Sequence, residues 1–188
     1  MAVGRERPKK KRGLRLNSMR LLDARHVAYE VIRFSPDIHS ATGVAETAGL
    51  DPSMVYKTLV IQRPKGAGGK TKPLLVMVAG DKRIDLGALA ASLGEKKLRM
   101  ASHREAETLT RLQVGGISAL ALLNKGFDVA IDRAAQHLDR VVVSGGRRGV
   151  NLVLAVPDLV RITAAKWADA AGEGADVVNG TDQVYNEE

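Results

Sequence analysis

The sequence predicts an α+β fold: a single domain on one curled, mixed β-sheet, a partly open barrel with short flanking helices. Three observations carry this expectation. Seven or eight short apolar or alternating runs read as strands. The helical stretches among them are short and bring their own capping residues. Strands and helices do not alternate in the regular βαβ order of a doubly wound parallel sheet. A length of 188 residues with 45% hydrophobic content is enough for one well-buried core.

Taken in order, Ser18 is expected to cap a short helix carrying Met19, Leu21 and Leu22, and Tyr29–Phe34 alternates as a half-buried strand. Thr42–Ala48 has helical spacing with Gly49 just past its end. Met54–Ile61 is an apolar strand interrupted by Lys57. The Gly-, Lys- and Pro-rich stretch from Gln62 to Pro73 reads as a hairpin loop leading to the strand Leu74–Val78. Its Gly66, Gly68, Gly69 and Lys70 lack the preceding strand, following helix and spacing of a phosphate loop. Asp85 caps a helix over Leu86–Leu93, ended by Gly94. A short strand, Lys97–Met100, precedes the capping-box pattern Ser102-His103-Arg104-Glu105 and a helix to Thr110. Gln113–Ile117 reads as a strand, and Ala119–Lys125 as one or two helical turns. Asp128–Asp132, Arg140–Val143 and Val150–Ala155 are three further strands. Pro157 opens a last helix, with Val160, Thr163, Ala164 and Trp167 on one face.

Charge is unevenly placed. Of a net +8, residues 1 to 20 hold +7, with Arg5, Arg7, Lys9, Lys10, Lys11, Arg12, Arg15 and Arg20 against Glu6. Such a block cannot bury enough apolar surface to offset its ordering entropy, so residues 1–16 are expected to form a disordered basic arm. Arms of this kind contact phosphates in a salt-dependent way, which makes Lys9, Lys10, Lys11 and Arg12 candidate RNA contacts; a solubilising extension is the other reading. Residues 172–188 are acidic and aperiodic and read as a second tail, leaving 17–171 as the domain. No apolar run is long enough to span a membrane, and the basic N-terminus lacks the apolar stretch of a signal peptide. A soluble, cytoplasmic protein is expected. The sequence has no cysteine, and His26, His39, His103 and His137 show no metal-ligand spacing, so no metal site is expected.

Two glycine pairs each follow an apolar run: Val114-Gly115-Gly116-Ile117-Ser118 and Val143-Ser144-Gly145-Gly146-Arg147-Arg148. Glycine bares the backbone, so amides around Gly115, Gly116 and Ile117 can stabilise negative charge that develops on a carbonyl oxygen. A tight turn is the structural alternative. Ser144, Gly145 and Gly146 can form an amide nest for phosphate or ribose, with Arg147 and Arg148 as a guide for RNA or as solvated charges. Ser118 can donate a hydrogen bond to a ligand or hold water, but no histidine is placed to activate it as a nucleophile. Asp132 can orient Lys57, bind an ammonium, or cap the turn that follows it.

These pieces, together with Val55-Tyr56-Lys57-Thr58-Leu59-Val60, Asp85–Gly94, Glu107-Thr108-Leu109-Thr110 and Val129-Ala130-Ile131-Asp132, stand in an order and spacing that resembles the YbaK/EbsC family. These are free-standing aminoacyl-tRNA deacylases related to the editing domain inserted in bacterial prolyl-tRNA synthetases. The resemblance runs from about Leu21 to Ala170. It implies a crevice for the 3′-terminal adenosine of a misacylated tRNA, hydrolysis of the aminoacyl ester by water or by a substrate group, no cofactor, and a synthetase as a candidate partner. It also makes Lys57 the family's strand lysine, holding a phosphate or hydroxyl of the terminal nucleotide or assisting at the carbonyl. The chain departs from the family at Arg111-Leu112, where Gly-Tyr is usual, at Ala119, where proline is usual, and at Ala121, where glycine is common. Those departures motivate one alternative, a binding module without turnover; the basic arm motivates another, an RNA-binding protein acting mainly through that arm.

Overall fold

The structure is a computed structural model that describes residues 15–38, 40–64 and 72–173. The expectations placed on Lys9, Lys10, Lys11 and Arg12, on the glycines of the 65–71 loop and on 174–188 lie outside the described residues. The strands are β1 (Glu30–Arg33), β2 (Val55–Gln62), β3 (Leu74–Ala79), β4 (Arg83–Ile84), β5 (Arg99–Met100), β6 (Asp128–Asp132), β7 (Arg140–Arg147), β8 (Val150–Ala155), β9 (Lys166–Ala168) and β10 (Ala171–Gly172). The helices are α1 (Asn17–Ala24), α2 (Ala41–Ala48), α3 (Leu86–Leu93), α4 (His103–Thr110) and α5 (Val156–Thr163).

The main sheet runs β1-β8-β7-β2-β3-β6-β9, with β5 joined to the end of β2. It is mixed, because β2/β7, β3/β6 and β6/β9 are parallel while the other pairs are antiparallel. It stays open, with β1 and β9 as its ends. The α+β expectation therefore holds.

Alternation along β2 divides the core into two faces. Tyr56 and Val60 join a first-face cluster with Leu22, Val114, Ile117, Val143 and Leu152. Val55, Leu59 and Ile61 point the other way, where the apolar cover comes in two separate parts. Helix α2 brings Val44 and Ala45 over Val55, Val142 and Val153. Helix α3 brings Leu89 over Leu59, Ile61, Val76 and Val78.

Helix ends follow local chemistry. Ser40 and Asp85 accept the N–H groups of Gly43 and Ala88, and Gly49 and Gly94 take left-handed conformations past the ends of α2 and α3. Ser102 and Glu105 form the reciprocal capping box of α4. Hydrogen bonds from the Arg99 guanidinium, and then from the Ser102 N–H, hold the Glu105 carboxyl far below the ordinary carboxylate range. A depressed folded-state pKa contributes stability that is present above the unfolded value near pH 4.3 and lost as pH falls below it. Glu105→Gln is accordingly expected to flatten the acid limb of a stability-versus-pH curve below about pH 4.3. Denaturant titrations at stepped pH check this, and an unchanged acid limb would refute it.

The structure corrects the expected elements in five places. Gln113–Ile117 is not a strand: the Gly116 N–H donates to the Gln113 carbonyl at 2.8 Å and closes a turn. Ala119–Lys125 is a run of turns rather than a helix, with single bonds from Leu122 to Ala119 and from Lys125 to Leu122. Ser18 lies inside α1, which has no side-chain cap, and its hydroxyl donates to the Gly145 carbonyl, fastening the helix to β7. Trp167 belongs to β9 because Ala164 takes a left-handed conformation and ends α5. The strand expected over Arg140–Val143 runs on to Arg147, with a register shift against β8 between Ser144 and Arg147.

Candidate active site

Register builds the site. Lys57 follows Tyr56 on β2, and Tyr56 is paired with Val143 on β7, so Lys57 and Ser144 are neighbours one step further along. Ser144 is in register with Asn151 on β8, and Asn151 with Ile32 on β1. By alternation with Val55, Val142 and Val153, the side chains of Lys57, Ser144 and Asn151 share the second face, about 5 Å apart from strand to strand. They form a polar row between the apolar patches under α2 and α3. An ammonium, a hydroxyl and a carboxamide are thus collected in one notch, with Lys57 and Ser144 half-buried and Asn151 only 7% exposed. The Ser144 hydroxyl accepts the Gly146 N–H at 3.2 Å, which leaves its own proton to donate. Sequence reasoning missed Asn151, since only the Ser144–Asn151 pairing shows that it faces the notch.

The Gly115–Gly116 loop stands at the end of the strand that carries Ser144. A Cβ on Gly116 would lie 2.8 Å from the Arg148 backbone nitrogen and 3.0 Å from the Arg147 carbonyl carbon. The second glycine thus permits main chain to pack on main chain. Gly115, with φ +84, is exposed at the tip of this turn. Because the Gly116 N–H is bonded to Gln113, Gly115 is the member of the pair best placed to meet a ligand.

The other candidates have structural occupations. Ile117 is a buried anchor of the first-face cluster. Ser118 is 1% exposed, and its Oγ accepts the Ala121 N–H at 3.4 Å, holding the following turn rather than facing solvent. Gly145 turns toward α1, where a Cβ would meet the Leu16 side chain at 3.3 Å. Arg148 donates from Nε to the Val114 carbonyl at 2.6 Å and so clamps the loop, whereas Arg147 is exposed. Burial first, and then the Asp132 and Asp81 carboxylates, push the Tyr56 phenol up well beyond its ordinary value, so it stays protonated. No cluster of three or more metal-ligating side chains occurs among the described residues.

Asp132 takes the capping alternative. Its Oδ1 accepts the Ala134 N–H at 3.0 Å, and its Oδ2 accepts those of Ala170 and Ala171 at 2.8 Å each. This 5%-exposed carboxylate therefore ties the C-terminal segment to β6. Losing it leaves one buried and two part-buried donors without their acceptor, a cost of about 2 kcal/mol. Asp132→Ala is expected to lower the melting temperature by roughly 4–8 °C while leaving turnover of the folded enzyme nearly intact. Calorimetry beside a rate measurement decides, and a stable but inactive variant would return Asp132 to the substrate.

Fold and notch together define a class: a one-domain α+β protein with a cationic amine, a hydroxyl and a carboxamide in one row of an open mixed sheet, beside a turn of bared backbone. Comparison with known proteins narrows that class to a family. The model of the aminoacyl-tRNA editing domain matches residues 35–162, and the chain belongs to this family, the deacylases of aminoacyl-tRNA. It is 32% identical to EbsC of Enterococcus faecalis, a proposed Cys-tRNA(Pro)/Cys-tRNA(Cys) deacylase, over 86% of this chain and 96% of that one. It is 29% identical to the proline–tRNA ligase of Limosilactobacillus fermentum over 108 residues, which are 57% of this chain and 18% of the ligase. Among solved structures, a hypothetical protein has a TM-score of 0.72 at 27% identity, covering 83% of this chain and 99% of that one. A proposed trans-editing enzyme for prolyl-tRNA synthetase has a TM-score of 0.69 at 24% identity, covering 85% and 99%, a likeness of fold. No helix among the described residues is long and apolar enough to cross a membrane.

Proposed function

We propose that the protein is a free-standing trans-editing hydrolase that cleaves the ester between a wrongly attached small amino acid and the 3′-terminal adenosine of tRNA. The observation that carries this reading is the row Lys57–Ser144–Asn151, set between two apolar patches. Water, activated with the help of a substrate hydroxyl or held by the protein alone, adds to the ester carbonyl carbon and gives up a proton. The electron pair moves to the carbonyl oxygen, and collapse expels the ribose oxygen, which takes a proton to leave free amino acid and a tRNA with its 3′ end restored. The protein's part is positioning and charge stabilisation. Lys57 holds a phosphate or hydroxyl of the terminal nucleotide or meets the developing oxyanion. Ser144 and Asn151 bond the ribose, and the Gly115 amide faces the ester. The site of action is the cytoplasm, and a synthetase is a candidate partner, because a related segment lies within a proline–tRNA ligase.

The test is deacylation of tRNAs charged separately with cysteine, alanine, serine and other small amino acids. Release of one or a few of these well above the spontaneous rate is expected, and no release from any would refute the reading. A second reading, a module that binds the aminoacyl end without turnover, is favoured by Ala119 in place of the family's proline. It predicts saturable binding of a non-hydrolysable aminoacyl-adenosine with no release.

A further inference from the structure

On the first face of the sheet, back to back with the notch, a groove of about 550 Å³ opens between α1, the end of α4 and the turns at 119–125. Gly145 and Gly146 of β7 line it, so it lies behind the strand whose Ser144 faces the notch. Its walls carry Arg15, Arg20, Arg111 and Lys125, all exposed, and among the described residues no carboxylate side chain lines it. Among the described residues, only Arg15 of these four is in an ion pair, with Asp23. Arg111 stands at the C-terminal end of α4 with φ +59, a left-handed position that glycine would occupy without strain. The most basic stretch of the sequence, Arg5 to Arg12, joins the fold three residues later at Arg15 on the lip. Exposed Arg147, at the end of β7, follows directly on Gly145 and Gly146, which line the groove.

We propose that this groove docks the sugar–phosphate backbone of the tRNA acceptor stem, from which the 3′ end passes over the β7–β8 hairpin at Arg147 into the notch. The proposal rests on the editing reading for its partner. It adds a binding surface separate from the chemistry, whose contacts are to phosphates and therefore independent of base sequence. Four cations around one channel, with no carboxylate among its described lining residues, match a polyanion of regular charge spacing.

The experiment combines Arg20→Ala, Arg111→Ala and Lys125→Ala in the full chain and measures binding of an uncharged tRNA transcript across a salt series. Expected are an affinity lowered about tenfold or more near 0.1 M salt and a slope of log K against log salt reduced by about 2–3. KM for aminoacyl-tRNA should rise in step, while cleavage of a 3′-aminoacyl-adenosine lacking a stem stays at the wild-type rate. Arg111→Gly supplies the folding control: it suits the left-handed backbone, so it should melt no lower than wild type and still weaken tRNA binding. Wild-type affinity and slope in the triple variant, or equal loss on the stemless substrate, would overturn the docking surface. If the wild type binds tRNA through these cations but hydrolyses no ester, the editing reading falls and the docking surface stands.

Discussion

Lys57→Ala is expected to lower the rate of deacylation by roughly 100- to 1000-fold without unfolding the protein. The size follows from the job. A positioned donor that meets charge developing in the transition state is worth that much in a site shielded from water, because little reorganisation is needed when the charge appears. Folding should not suffer, since a half-buried ammonium between apolar patches is itself costly to desolvate. Lys57→Met keeps the length and the apolar stem, so it isolates the charge. Lys57→Arg should rescue poorly, because a planar fork does not replace a compact ammonium in a notch one strand spacing from Ser144. Single-turnover rates with the best substrate beside melting temperatures make the comparison. An active Lys57→Met variant would remove the amine from the mechanism.

Gly116→Ala is expected to be the most destabilising single methyl in the loop, at about 4 kcal/mol, or roughly 8–16 °C in melting temperature. The atoms that a Cβ would strike belong to the main chain of Arg147 and Arg148, and they cannot swing aside as a side chain can. Gly115→Ala meets only the Arg148 side chain, no nearer than 3.5 Å, and is limited by its positive φ, so about 1–2 kcal/mol is expected there. Thermal unfolding of the two variants tests the contrast. Equal effects would mean that the loop can lift from the hairpin, and that main-chain packing does not hold it.

Much of the architecture was legible because its signals are short-range. Asp85 with Gly94 bounds α3, and Ser102 with Glu105 starts α4, through bonds between residues three or four apart that form in any context supporting a helix. What failed to read through is equally specific. Leu112–Ile117 has the composition of a strand, but a single bond from Gly116 to Gln113 turns it back, and its apolar side chains are buried by packing on the first face instead. Trp167 keeps helical spacing with Thr163, but the left-handed Ala164 between them sends it into a strand. Ser18 sits where a cap is expected, but its partner is a carbonyl 127 residues away.

The candidate site divides along the same line. By itself the sequence determined the presence of a lysine in an apolar strand, two glycine pairs and a carboxylate at a strand end, because each is a local departure from apolar patterning. Only the tertiary structure decided which groups each of them meets. Pairing of β2 with β7, and of β7 with β8, set Lys57 beside Ser144 and added Asn151. Contact between the two glycine segments gave Gly116 to packing and Arg148 to the loop. The return of the chain at Ala170 and Ala171 took up Asp132. The physical reason is that residue spacing specifies which face a side chain takes within its own strand, whereas register between distant strands specifies its neighbours, and chemistry depends on the neighbours.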